Sequence, residues 1–417
     1  MRQTLVLLTA LFLATSVQAH LPEYFGRRFV LLSDSPEEPP AEDCGGDPAE
    51  RENKRRLAEA LENELGDMQR DQGAYSPLLA DPAGELAELH AALCNHPAAL
   101  DASRRAVQAL RINDGLLSVA QLPYLSSMAK SYAAIGDYES SQRTLRYSFR
   151  IFEMGRGTLT AEALRESMAY FARAREIFID PRSRQELGLF FEAYTDNRSM
   201  FEAQWERFAA GDGPSYAFMK AIALSHLHNL YLILGTDLTQ YSMANGDAGS
   251  RGAEFMQRAQ LLTYARGKEL IEDFLATSTG SLGAEAAEWK LRLGNWQQWN
   301  GKWQSACGSY ADAWTLAEGE AGAALRGRMA SPAELPEDEA LWIYLRGRGI
   351  PVRDVIEASF SVSARGTISR VDGGSVLESG SGGSLLRWLR DSHARPAVRD
   401  GRCVGGELQS RRYRLVD

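Results

Sequence analysis

The chain has 417 residues, 44% of them hydrophobic and 24% charged, the balance of a globular protein with room for two or three domains rather than of a disordered one. Its net charge of −9, with both signs mixed along the length, argues against nucleic acid as the main partner, since phosphate binding needs a concentrated basic face. Beyond the N-terminus no apolar run reaches the roughly 20 residues that a membrane-crossing helix requires.

Residues 1–19 read as a signal peptide. Arg2 gives the basic start, Leu5 to Val17 the apolar run, and Val17-Gln18-Ala19 the small residues at a cleavage site. His20 follows where a lipoprotein would carry cysteine, so the expectation is a soluble periplasmic protein, with an uncleaved anchor as the alternative. Residues 20–47 form an extended arm or linker. Ser33 to Asp47 is rich in proline and acid and has almost nothing to bury.

Helical periodicity begins near Pro48 and holds to about Leu325, so residues 48–330 make one helical domain. Asp81-Pro82 has the form of an N-cap followed by a first-turn proline. Leu86, Leu89 and Leu93 are followed at helical spacing by Leu100, Val107 and Leu110. Leu125, Met128, Tyr132 and Ile135 are followed by Leu145, Phe149 and Phe152. Tyr216 to Leu234 predicts one long helix, and Asn245 to Ser250 a loop. His226 and His228 would point about 200° apart on that helix, as surface or groove residues.

One pattern recurs within this domain. Leu293, Gly294, Gly301, Trp303, Ala306, Tyr310 and Ala313 fit a helix–turn–helix in which glycine turns the chain and alanine lets the backbones approach. The same frame holds Leu125, Met128, Ala129, Tyr132, Gly136, Tyr138, Ser141, Leu145 and Ser148. It returns more loosely at Leu86, Ala87, His90, Cys94, His96, Ala99, Ser103 and Ala106. These residues resemble the tetratricopeptide family, whose helix hairpins repeat at about 34 residues. The resemblance implies a mainly α protein, an α-α superhelix of roughly six or seven hairpins, with a concave groove for a partner. In the family's frame Glu88, Lys130, Asn295 and Gln298 face that groove.

Residues 331–350 read as a linker, and 351–417 change character. Val355 to Val362 alternates with Ile356, Ala358, Phe360 and Val362 on one face, a half-buried strand. A turn at Ala364-Arg365-Gly366 leads to a second strand, Thr367 to Val371. Leu385 to Arg390 follows as a short helix, then an Asp400-Gly401 turn and a closing strand, Arg411 to Val416. This strand–strand–helix–strand order resembles the C-terminal domain of TonB-type periplasmic proteins, over about one sixth of the chain. Ala394 stands where that family usually has an aromatic residue, and Cys403 where proline is common. The resemblance implies an exposed strand edge to which a partner peptide adds, with Arg411, Arg412, Tyr413 and Arg414 as that edge.

Four cysteines, Cys44, Cys94, Cys307 and Cys403, lie in no metal-ligand spacing. An oxidising compartment allows disulfides in three full connectivities. Cys44 with Cys403 is a pairing their loop-like surroundings allow, while Cys94 and Cys307 read as small thiols inside repeat helices or turns. No catalytic signature stands out: there is no GxSxG, HExxH or GxxxxGK, and no cofactor or metal is expected. The expected function is a non-catalytic periplasmic scaffold that binds a protein or peptide of the cell envelope. The alternatives are an accessory protein engaging a TonB-dependent system or the cell wall, and a hydrolase-like enzyme with its site between the domains.

Overall fold

A computed structural model of the protein describes residues 29–31, 47–154, 160–179, 187–235, 238–278, 283–336, 355–372, 383, 385–386, 389–390, 394–406 and 408–415. The signal-peptide reading, Cys44 and nearly all of the arm fall outside the described residues, as does most of the linker at 331–350. The protein is mainly helical, with a small strand-containing C-terminal region.

The first described element is a short strand, β1 (Phe29–Leu31). Among the described residues twelve α-helices precede the next strand: α1 (Pro48–Gln72), α2 (Ala80–Ala92), α3 (His96–Asp114), α4 (Leu122–Ala134), α5 (Tyr138–Met154) and α6 (Ala161–Ile179). Then come α7 (Leu187–Ala210), α8 (Tyr216–Gly235), α9 (Leu238–Ser278), α10 (Gly283–Trp299), α11 (Trp303–Leu316) and α12 (Gly319–Met329). Each packs on the next in sequence, so α2 to α11 make five successive pairs between α1 and α12. That is fewer than the six or seven hairpins expected, because the middle helices are long. The 41-residue α9 runs through Asn245 to Ser250, which sequence reading gives as a loop.

Local chemistry fixes the helix ends. Asp47 caps α1 by accepting from the backbone N–H groups of Ala49 at 2.8 Å and Glu50 at 3.0 Å, and Pro48 occupies the first turn, where no N–H is needed. Asp81 does not cap α2, which begins one residue earlier. Its carboxylate instead accepts a 2.8 Å hydrogen bond from Tyr124 Oη on α4.

The three recurring stretches form three alike turns. Cys94, Gly136 and Gly301 all take positive φ, at 54°, 81° and 71°. The next N–H in each case reaches back to close the helix: Asn95 to His90 O at 2.8 Å, Asp137 to Tyr132 O at 2.9 Å, Lys302 to Gln297 O at 2.9 Å. Behind each turn the small residues are buried: Ala87 and Ala99, Ala129 and Ser141, Ala306 and Ala313. A Cβ at Gly294 would lie 2.3 Å from the Tyr310 ring, so only glycine lets α10 and α11 meet there. A 3-10 turn capped by serine precedes both α2 and α4, Ser76 before Pro77–Leu79 and Ser118 before Val119–Gln121. This sets the starts of α2 and α4 further apart than the roughly 34 residues of a tetratricopeptide hairpin.

His226 is not a surface residue. It lies 4% exposed, stacked between Tyr194 and Phe201 of α7, with ring centroids at 5.7 and 5.8 Å. Burial, followed by the Arg198 and Arg266 charges, pushes its pKa down to about 3. The unfolded chain therefore takes up a proton near pH 6.5 that the folded chain refuses, so folding stability is full above that pH and falls as pH drops towards 3. Replacing His226 with phenylalanine keeps the ring stack and should flatten that slope. Thermal melts of both proteins from pH 7 to pH 4 would test this, and parallel curves would refute it.

The C-terminal region follows α12. β2 (Ala333–Glu334) already belongs to it, so the expected linker is in part a strand. Then come β3 (Val355–Val362), β4 (Ile368–Asp372), β5 (Ala394–Arg395), β6 (Ala397–Arg399), β7 (Arg402–Val404) and β8 (Leu408–Leu415). The alternation on β3 holds: Ile356, Ala358, Phe360 and Val362 face inward with Tyr413, Leu385 and Leu389. Leu385, Leu386, Leu389 and Arg390 are helical, as expected. Asp400 and Gly401 both have positive φ, the two-residue turn that joins β6 to β7.

The closing strand is not an edge along its whole length. The sheet order is β1-β8-β3-β4, all antiparallel, and β1 covers β8 from Tyr413 to Leu415. Arg414 pairs with Val30 on one side and Val355 on the other. The chain's own N-terminal segment thus sits where a partner's strand was expected.

Candidate functional site: a charged cavity between α8, α10 and α12

The C-terminal region is seated on the last helix pair. Cys307 of α11 and Cys403 of β7 form a disulfide with their Cα atoms 5.8 Å apart, which corrects the Cys44–Cys403 pairing. Cys94 is also disulfide-bonded rather than a buried free thiol. Sequence spacing could not show that β7 packs on α11, which is what brings these two sulfurs together. Arg395 is fully buried and donates to the carbonyls that end α12, Arg328 O at 3.1 Å and Met329 O at 3.3 Å. Val398 packs into the α10–α12 core with Ala306, Tyr310 and Leu325. The Arg365 guanidinium lies 5.0 Å from the Trp303 ring centre, and β2 pairs with β5.

This seating holds α12 in position and, with α8 and α10, encloses a cavity of about 460 Å³. The spacing of the lining explains it. Leu224, Leu227, His228 and Tyr231 form one stripe of α8, and Glu288, Leu291, Arg292 and Asn295 form one stripe of α10. Arg328 of α12 and Pro336 complete the wall. Glu288 of this lining accepts from Arg328 Nη2 at 2.8 Å on both carboxylate oxygens and is ion-paired to Arg292 Nη1 at 3.3 Å. Asn295 Oδ1 accepts a 3.1 Å bond from Tyr310 Oη, which orients its amide. Two guanidinium groups, one carboxylate, an amide, an imidazole and a phenol thus meet over apolar leucines. Such a surface grips a polar chain by hydrogen bonds and charge while its apolar floor takes up a side chain.

The expected groove residues divide. Asn295 lines this cavity. Gln298, one turn on, is buried beneath the C-terminal region and donates to Arg365 O at 2.8 Å, so it is an interface residue and not an open groove position. Glu88 on α2 and Lys130 on α4 are exposed and belong to other helix pairs. On β8, Arg412 is exposed opposite Glu357. Arg411 is half-buried, bonded to Ser410 O at 3.2 Å and Gln409 Oε1 at 3.3 Å. Tyr413 is fully buried and donates to Glu334, so it is a core residue and not a partner contact. His228, read from the sequence as a surface or groove residue, lines the cavity, while sequence reading missed Glu288, Arg292, Arg328 and Tyr231. The stripe Glu288–Arg292–Asn295 was visible as helical spacing, but the α12 wall was not.

Among the described residues, no group of three or more His, Cys, Asp or Glu side chains is placed to hold a metal ion. One helix, Tyr216–Gly235, is long and apolar enough to cross a membrane, and 67% of its most apolar stretch is buried inside the protein. In sequence, the chain matches no protein-family model and no curated protein.

Proposed function

We propose that this protein is a non-catalytic periplasmic adaptor that binds a protein or peptide of the cell envelope. Its paired helices would stack as a tetratricopeptide-type superhelix, with α2, α4, α6, α8 and α10 lining the concave side. The observation that carries the reading is the α8–α10–α12 cavity, charged over apolar side chains. Export is supported by the Cys307–Cys403 bond and the disulfide at Cys94, since such bonds persist in oxidising compartments. A TonB-like C-terminal domain would close the end of the stack, its seat on α11 and α12 keeping the cavity in shape.

The test uses the full chain in intact cells, with a photo-reactive amino acid in place of Leu224 of the cavity lining. The expected result is one recurrent envelope polypeptide crosslinked there, reduced at least about tenfold when Arg292 is changed to glutamate, a loss on the scale of one interface hot spot. Unchanged capture with Arg292→Glu, at an unchanged melting temperature, would exclude the cavity as the binding site.

A further inference from the structure

One end of the first helix pairs carries an apolar edge. α2 and α3 lie antiparallel across the Cys94 turn, and α4 and α5 across the Gly136 turn. The opposite end of both pairs therefore holds the two segments that lead into α2 and α4. Tyr75 and Leu78 stand on the first segment, Ile112 on the last turn of α3, and Leu116, Leu117 and Val119 on the second segment. All six are exposed, Leu116 the most at 66%. The segments are neighbours, since Asn113 Nδ2 donates to Tyr75 O at 2.8 Å. Residues 72–80 and 115–122 contain no charged side chain, in a chain that is 24% charged. Single exposed leucines are ordinary on a protein surface, but a cluster without charge marks a contact.

The backbone of the edge supplies an independent observation. Carbonyls of an exposed loop are ordinarily left to water, but here the protein provides the donors. Gln121 is fully buried, and its Nε2 donates to Gly115 O at 3.1 Å and Leu116 O at 3.0 Å. Tyr147 Oη of α5 also donates to Leu116 O, and Asn113 serves Tyr75 O. The hydroxyls of Ser76 and Ser118 accept from the N–H groups of Leu78 and Ala120. Backbone groups satisfied from within can leave water at little cost, whereas unpaired ones cannot. A charged partner finds no counter-charge on these tips. A protein partner would meet fewer residues than the about 20–30 a side of a stable interface. Hydrocarbon asks for neither charge nor hydrogen bond. Both signs return just behind the tips, at Arg70, Asp71, Arg111 and Asp114, a mixture suited to zwitterionic headgroups.

We propose that this edge dips into the surface of a lipid bilayer, with Leu78, Leu116 and Val119 entering the acyl region and the helix pairs standing outside it. The contact is peripheral and reversible, because a few side chains bury little apolar area and nothing spans. It shares no residue with the α8–α10–α12 cavity, so the bilayer and a partner in that cavity can be held together.

Flotation with lipid vesicles tests this, using the mature chain of the proposed function, residues 20–417, so that the apolar run at residues 5–17 cannot itself enter lipid. The vesicles are pure phosphatidylcholine and an equal mixture of phosphatidylcholine and phosphatidylglycerol. The protein should float with both at millimolar lipid, and equally well in about 1 M salt, which confines charge attraction to about 3 Å. Leu116→Ser/Val119→Ser should weaken binding at least about tenfold, at an unchanged melting temperature, for the loss of two apolar side chains from the lipid. Leu78→Ser should weaken it several-fold, and decides the matter should the double variant melt early. Leu261→Ser, which removes an exposed leucine from α9, should change nothing. The proposal is overturned by no flotation on either vesicle, by binding that needs phosphatidylglycerol and disappears in salt, or by variants that float like the parent. A dimer in lipid-free solution that the double variant abolishes would also overturn it, assigning the edge to a second copy of the chain.

Discussion

Replacing Cys307 and Cys403 together with serine should lower stability by about 4 kcal/mol. The bond joins residues 96 positions apart, and closing a loop of that length removes a large share of the unfolded chain's freedom. The cost should fall on the seat of the C-terminal region and not on the protein at large. Arg395 on the α12 carbonyls, Gln298 on Arg365 O and the Arg365–Trp303 contact would still hold the two parts together. Because two units then unfold with unequal ease, a single melting temperature is a poor measure. Amide hydrogen exchange resolved by segment is the better one. Residues 397–404 and the face of α11 beneath them should exchange much faster in the variant, while α2 to α5 stay as they were. Unchanged protection in β6 and β7 would show that the disulfide is dispensable to the seat.

Trp296→Ala should cost about 4 kcal/mol, the upper range for emptying a buried aromatic site. The indole of α10 is fully buried, and its Nε1 donates to Tyr264 O on α9 at 3.1 Å. The Tyr231 ring of α8 meets it edge-on at 4.8 Å. Opposite, α9 offers Gly267, where a Cβ would lie 2.4 Å from the indole ring. One side chain therefore joins three helices, and α9 can approach only because it has no side chain at that point. The hole could not close without moving α9, which is why the loss should sit near the top of the range. Urea unfolding followed by far-UV circular dichroism would measure it, and a loss under about 1 kcal/mol would mean the three helices are not packed as described. Gly267→Leu should destabilise from the opposite direction, by overfilling the same contact.

Much of this architecture could be read before any coordinates. Periodicity placed α8 and β3 to within a residue, because each has one uniform environment along its length. The turn chemistry of Gly136, Gly301 and Asp400-Gly401 is local, so it showed plainly. What failed is what depends on distant partners. Nothing near Cys403 announces α11, and nothing in the arginines of β8 announces that Phe29–Leu31 lies beside them. His226 read as a surface or groove residue because imidazole is polar, although its helix is apolar all round, and the aromatic pair on α7 is what covers it. The cavity was half legible for the same reason. Asn295 shares a stripe with Glu288 and Arg292, but the wall that turns the stripe into an enclosure comes from α12, held there by Arg395 from far along the chain.

The pairing of β1 with β8 also sets an order of assembly. Phe29–Leu31 is made before all twelve of the described helices and Tyr413–Leu415 after them, so every helix pair must exist before the two can meet. The helix pairs, joined by short turns, are free to collapse long before that. The early strand must wait, its backbone bonds unmet, until β8 arrives, and its docking would complete the four-stranded sheet.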